Sequence, residues 1–203
     1  DEFYAFLWGE RSLPERSFLL TFDDSRKDSF YPVDPILQTL GYRAVMFAIT
    51  GRIDSNVDQA FHLSEPELRL MAQSGRWGIQ PHTHRGHDLY PLDGEGRKGR
   101  FYPNLLWRES DGRLETEDEF MVRVRGDLEY AKRLAERISG MPAIGFSYPF
   151  GDYGQHSENF PGAERLLREI VERIYPMSFY QPWGNTYSQN YPVPGSDSLF
   201  ARR

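Results

Sequence analysis

The sequence predicts an α/β fold built on parallel strands, and three observations predict it. Short apolar runs alternate with stretches whose apolar residues recur every three or four positions, as strands and amphipathic helices alternate in βα units. Two capping boxes, Ser64-Glu-Pro-Glu67 and Thr116-Glu-Asp-Glu119, mark helix starts. Polar clusters of unusual chemistry follow the apolar runs, where parallel α/β folds gather their functional groups. The 203 residues suit one domain, 1–203, large enough to bury a core, and 39% hydrophobic with 15% aromatic residues excludes disorder.

Taken in order, Ser17-Phe-Leu-Leu-Thr-Phe22 is an apolar run ending in two aspartates and predicts a buried strand. Pro32 to Leu40 predicts a short helix stopped by Gly41. Ala44 to Ile49 is strand-like, and a helix starting at the Ser64 cap runs to about Ser74, stopped by Gly75. Trp77 to Gln80 is a weak strand leading into Pro81. Residues 88–115 form a polar, Gly-containing excursion longer than about 12–15 residues, the length at which a connection is usually functional, so an active-site insertion is expected. Behind the second capping box, Phe120, Val124, Leu128, Ala131, Leu134 and Ile138 line one face of a long helix ending at Gly140. A strand over Ile144–Tyr148, a helix over Ala163–Ile174 and a strand over Met177–Tyr180 complete the series.

Composition removes several function classes. The net charge of −6 carries no basic block, which argues against tracking a nucleic-acid backbone. No apolar run reaches the roughly 18 residues of a membrane span. Asp1 to Leu7 is too short and too acidic at its start for a signal peptide. The chain lacks an initiator Met and starts close to an expected strand, so excision from a longer protein is expected. With no cysteine, any metal must be held by His, Asp or Glu.

Three clusters carry chemistry. Thr21-Phe-Asp-Asp-Ser25 places two carboxylates at a strand end; burial of charge needs a partner, although a helix cap plus a solvated aspartate would also account for the pair. Adjacent strand residues point to opposite faces, so one metal ion is not expected to be held by both in the same manner. His82-Thr-His-Arg-Gly-His87 holds three of the five histidines within six residues. Imidazole is the commonest metal ligand, and a two-His-one-carboxylate set suffices for one ion. The interval of five does not fit one helical face, so a strand end and the turn allowed by Gly86 must present the outer pair. His84 is expected outside the ligand set, as a supporting or exposed group. Ser147-Tyr-Pro-Phe-Gly-Asp-Tyr-Gly154 predicts a tight loop after a strand, with a backbone N–H able to face an oxyanion.

In this order and at these intervals the clusters resemble the NodB-type polysaccharide deacetylases of carbohydrate esterase family 4. The first is similar to T-F-D-D-G with Ser25 for Gly, the second to H-[ST]-x-x-H with one residue more, and the third to R-x-P-[YF]-G at Pro149, Phe150 and Gly151. The longer histidine interval, with the lead-in Leu13 to Asp24, looks most like the branch that deacetylates poly-β-1,6-N-acetylglucosamine. The resemblance implies a distorted, incomplete (β/α) barrel of fewer than eight strands. It implies Asp23 as general base, Asp24, His82 and His87 as ligands of one divalent metal, and the Phe150 N–H as oxyanion donor. Zn²⁺ is the default for this donor set, with Ni²⁺ or Co²⁺ also fitting. Tyr148, Pro149, Trp107 and Trp183 are expected to line the substrate groove, with Tyr90 and Tyr102 as further stacking candidates. The resemblance also implies a polysaccharide or oligosaccharide substrate, a monomer, and an extracellular, periplasmic or cell-surface site of action.

Departures from the pattern are equally specific. Ser147 stands near where many members place an arginine that restrains the base. The late Asp-x-x-Asp-Trp and Leu-x-His motifs are not recognisable, so the general acid is left unassigned between His84, His156 and upstream sequence. Two rival functions stay open at this point: a carbohydrate-binding pseudoenzyme on the same fold, and a metal-dependent hydrolase of non-sugar amides.

Overall fold

A computed structural model of the chain describes residues 2–53, 60–182, 189–196 and 199–203. In chain order the elements are α1 (Glu2–Leu7), β1 (Thr21–Asp23), α2 (Lys27–Phe30), α3 (Asp34–Leu40), β2 (Ala44–Ile49), α4 (Glu65–Gln73) and β3 (Trp77–Thr83). After them come β4 (Leu89–Pro91), β5 (Lys98–Arg100), β6 (Trp107–Arg108), β7 (Arg113–Leu114), α5 (Glu117–Ser139), β8 (Gly145–Ser147), α6 (Ala163–Ile174), β9 (Met177–Tyr180) and β10 (Leu199–Arg202).

Two parallel sheets of three strands, β1-β2-β3 and β10-β9-β8, form the frame. The edges β3 and β8 are joined by side chains: Gly145 N donates to Gln80 Oε1 at 2.7 Å, and His82 Nδ1 donates to Ser147 O at 2.7 Å. The result is an open, incomplete (β/α) barrel, as expected, and it does not close into a continuous sheet.

Strand alternation sorts the side chains into an outer and an inner face. Phe22, Met46, Ala48, Trp77 and Ile79 point outward into a core shared with α3, α4 and α5. Phe146 points outward into a second core with α5, α6 and the 88–115 segment. Val45, Phe47, Met177, Phe179, Leu199 and Ala201 point inward, where α1 packs Leu7 among them and stacks Phe3 on Phe179. The same parity sends Asp23, His82 and Ser147 inward, and Arg203 continues the inward row of Leu199 and Ala201. The polar ends of these rows define the mouth.

Local chemistry explains the helix ends. Both capping boxes form: Ser64 N donates to Glu67 Oε2 at 2.8 Å, and Thr116 N donates to Glu119 Oε2 at 2.7 Å. Gly41 (φ 68°) and Gly140 (φ 69°) end α3 and α5 in the left-handed conformation that lacks a Cβ penalty.

Three expectations need correction. The first strand covers only Thr21–Asp23, because Phe18 lies exposed and meets Tyr42 edge to face outside the sheet instead of entering it. The chain opens on a helix, α1, and not close to a strand. The 88–115 segment is no open excursion: it forms two antiparallel hairpins, β4–β5 and β6–β7, and buries Leu92, Phe101, Tyr102 and Leu106 in the core.

Candidate metal centre

The chain reverses sharply at the end of β1. Asp24 (φ 68°) and Ser25 (φ 54°) are consecutive left-handed residues with side chains, a conformation that costs roughly 1–2 kcal/mol each. Tertiary hydrogen bonds hold the turn: His62 Nδ1 donates to Asp24 O and Leu63 N donates to Ser25 O, both at 2.7 Å. The reversal cancels strand alternation, so the expectation that the two aspartates point apart is corrected. Asp23 Oδ2 and Asp24 Oδ1 lie 3.8 and 3.7 Å from His82 Nε2.

Among the described residues, Asp24, His82 and His87 form a group that could hold a metal ion, their ligand atoms all within 4.8 Å of one another. His82 ends the inward row of β3, and His87 arrives from the turn after it, with Nε2 3.4 Å from Asp24 Oδ1. The rings of His82 and His87 meet edge to face, 4.5 Å between centroids. Donor chemistry fits a divalent cation. Because a carbonyl can only accept, the bond to Ser147 O places the His82 proton on Nδ1 and leaves the Nε2 lone pair facing the group. Burial lowers the pKa of His82 despite the two carboxylates beside it. Burial, with His82 and Arg52 adding to it, lowers His87 to about 2, so both imidazoles are neutral at neutral pH, the state in which they could ligate a metal.

Asp23 is held differently. Arg203 spans its two oxygens with Nη1 and Nη2, each 2.5 Å away, while its guanidinium carbon lies 5.5 Å from the Phe47 ring centre. Sequence reasoning missed Arg203, and it missed His62. Nothing local marks either one: Arg203 meets Asp23 across 180 positions, and His62, next to an exposed Phe61, pairs with Arg26 across 36 positions in an isolated bridge. Arg203 supplies the guanidinium that the resemblance placed near Ser147, from the opposite sheet edge.

The remaining expected residues separate. Phe150 adopts a left-handed backbone (φ 59°, ψ 13°) and sets its ring 5.2 Å from that of His87, on the rim of the group. Arg100 covers the same ring at 4.7 Å and bonds Asp152, so the 88–115 segment does reach the rim. Pro149, expected to line the groove, is buried. Tyr148 is also fully buried, packed on Phe146 and Phe200, so its ring cannot line a groove; strand parity turned it outward into the core. Tyr102, 2% exposed, is likewise core and no stacking platform. Trp107 is half-buried against Gly94 within the hairpins, and Trp183 lies outside the described residues. His84 turns its ring to Thr50 Oγ1 and Tyr130, away from the group, and His156 is exposed in a cavity of about 490 Å³ lined also by Arg100, Asn104 and Glu158.

Comparison with known proteins bears on this geometry. The family model described as polysaccharide deacetylase matches residues 10–161, which include all three clusters. The chain is 26% identical over 156 residues to the poly-β-1,6-N-acetyl-D-glucosamine N-deacetylase of Escherichia coli K12, covering 71% of this chain and 23% of that protein. It is 34% identical over 77 residues to the protein of that name from Staphylococcus aureus MRSA252, covering 37% and 27%. The chain thus spans about a quarter of the length of these relatives. In fold it matches the deacetylase domain of BpsB from Bordetella bronchiseptica with a TM-score of 0.70 and 24% identity, covering 96% of this chain and 76% of that one.

Proposed function

The chain belongs to the polysaccharide deacetylase family, and from that premise we propose that it is a metal-dependent hydrolase removing N-acetyl groups from an N-acetylhexosamine polymer. The observation that carries the reading is the convergence of Asp24 Oδ1, His82 Nε2 and His87 Nε2 beside a second aspartate that is clamped but not part of the group. The names of the relatives favour a β-1,6-linked N-acetylglucosamine chain as substrate, and an extracellular, periplasmic or cell-surface site of action is part of the same proposal.

Asp24, His82 and His87 would hold the ion, with zinc the default and nickel or cobalt also suited to two imidazoles and a carboxylate. When bound, such a cation polarises the amide carbonyl and lowers the pKa of water toward neutrality. Asp23 takes the proton from the attacking water. Arg203 keeps that carboxylate from swinging into the ligand group, only 3.8 Å from His82 Nε2. In this reading the Phe150 N–H, on a left-handed turn at the rim, is the donor to the developing oxyanion, a contribution worth about 2.7–4 kcal/mol for a single donor in other acyl-transfer sites. The Phe150 ring, 41% exposed between His87 and Arg100, offers an apolar face to a pyranose at the rim.

Asp23→Asn tests the division of labour, because it keeps the shape and removes the basic oxygen. The variant is expected to bind metal at the native ratio and to release acetate about 10²–10⁴-fold more slowly. Loss of metal from Asp23→Asn, with retention in Asp24→Asn, would reverse the two roles.

A further inference from the structure

A carboxylate that the proposed reaction does not use lies directly behind the metal ligands. Asp127 occupies the buried stripe of α5, between Val124 and Ala131, and is 7% exposed. Such a position ordinarily takes an apolar residue, since a buried charge needs compensating partners. Here the partners are the backbone of the loop between the two histidines. His84 N donates to Asp127 Oδ2 at 3.0 Å, Arg85 N donates to Oδ1 at 2.8 Å, and Tyr102 OH donates to Oδ2 at 2.6 Å. All three donors are neutral, and two are consecutive amides. Only a group with two acceptor oxygens satisfies both amides at once; a side-chain amide would turn its NH₂ toward one of them.

The loop needs this support. It carries one residue more than the H-x-x-x-H interval of the family, and Thr83 adopts φ 147°, which a β-branched residue disfavours. Close packing also confines it: a Cβ on Gly51 would come within 2.0 Å of His84 O, and one on Gly86 within 2.7 Å of the Tyr102 ring. Thr83 Oγ1 accepts from Gly86 N at 2.5 Å inside the loop. Asp127 therefore ties the backbone in the middle of the loop to the long helix by hydrogen bonds, and Tyr102 ties that carboxylate to the 88–115 segment.

We infer that Asp127 is a positioning residue of the metal centre: it sets the path of residues 83–86 so that His82 Nε2 and His87 Nε2 face one point. The 88–115 segment then serves the centre through Tyr102 from behind, as well as through Arg100 at the rim. This rests on the metal-ligand reading of Asp24, His82 and His87.

The test uses Co²⁺, whose visible absorption reports ligand geometry, and measures its affinity by competition with a chromophoric chelator. Asp127→Asn is expected to weaken Co²⁺ binding about 10–100-fold, the usual worth of a group that orients a ligand, and to alter the visible bands of the bound form. Tyr102→Phe is expected to move both readouts in the same direction by less. A merely structural brace would lower the melting temperature of the metal-free protein and leave affinity and bands unchanged. Native affinity with native bands in folded Asp127→Asn overturns the inference; if that variant does not fold, the same result in Tyr102→Phe does. His87→Ala is the control: native binding there would sink the ligand reading itself and not the role of Asp127.

Discussion

Residues of one chemical type do different work in this molecule because of what each touches. Asp23 and Asp24 are adjacent, yet Arg203 clamps the first and two neutral imidazoles face the second. The three clustered histidines divide in the same way, since His84 gives only its backbone N–H to the centre's support. His82→Ala and His87→Ala are therefore expected to abolish metal binding, while His84→Ala keeps the native stoichiometry; equal loss in all three would show that the ligand set is wrong. Arg203→Lys keeps the charge but loses the two-pronged contact. It should lower turnover about 10–100-fold with metal retained, and add little when combined with Asp23→Asn. A full additive loss in the double variant would mean that Arg203 acts elsewhere. The candidate ligands were legible in the sequence because His82 and His87 belong to a local cluster, and Asp24 to an aspartate pair, that packing alone explains poorly. Arg203, His62 and Asp127 were not, because each earns its role through a contact made across the fold, although a carboxylate inside an apolar helical stripe was a signal open to reading.

At the scale of elements, legibility followed length and capping. Helices α4, α5 and α6 carry regular apolar spacing, and the first two carry reciprocal caps, so local sequence defines them. The short α2, β10 and the individual strands of the 88–115 hairpins span two to four residues each, too few for any period to show. Those hairpins are held by long-range burial of Phe101 and Leu106 and by Arg123, which bonds Glu115 and the carbonyls of Phe101 and Asn104. The cap of α4 does more than start a helix. Burial opposes ionisation of Glu67, yet bonds from Tyr31, Ser64 and Lys27 outweigh it and lower the carboxyl from 4.5 to about 2. A depressed folded pKa gives stability that is fully present above pH 4.5 and is lost as pH falls toward 2. Urea midpoints followed from about pH 6 to about pH 2.5 should fall less steeply for Glu67→Gln than for the native protein. Parallel curves would show that Glu67 is not a source of the acid sensitivity.

Across the whole molecule, the open barrel explains how residues from both ends of the chain meet. Strand parity sends Asp23, His82 and Arg203 to one inner face, and α1 fills the space beneath them with Leu7 and Phe3. Alternation of strands and helices made the α/β class legible, but not the gap between β3 and β8, which His82 and Gln80 bridge with side-chain bonds. The inner face thus couples fold and chemistry: the bond that joins the sheets also fixes the tautomer of His82, one of the three residues that could hold a metal ion. The most direct test is acetate release from a β-1,6-linked N-acetylglucosamine oligomer by chelator-treated protein titrated with Zn²⁺, Ni²⁺ or Co²⁺. The account predicts no release without metal and a rise that saturates at one equivalent per chain. Release that ignores chelation, or none with one equivalent bound, would contradict it.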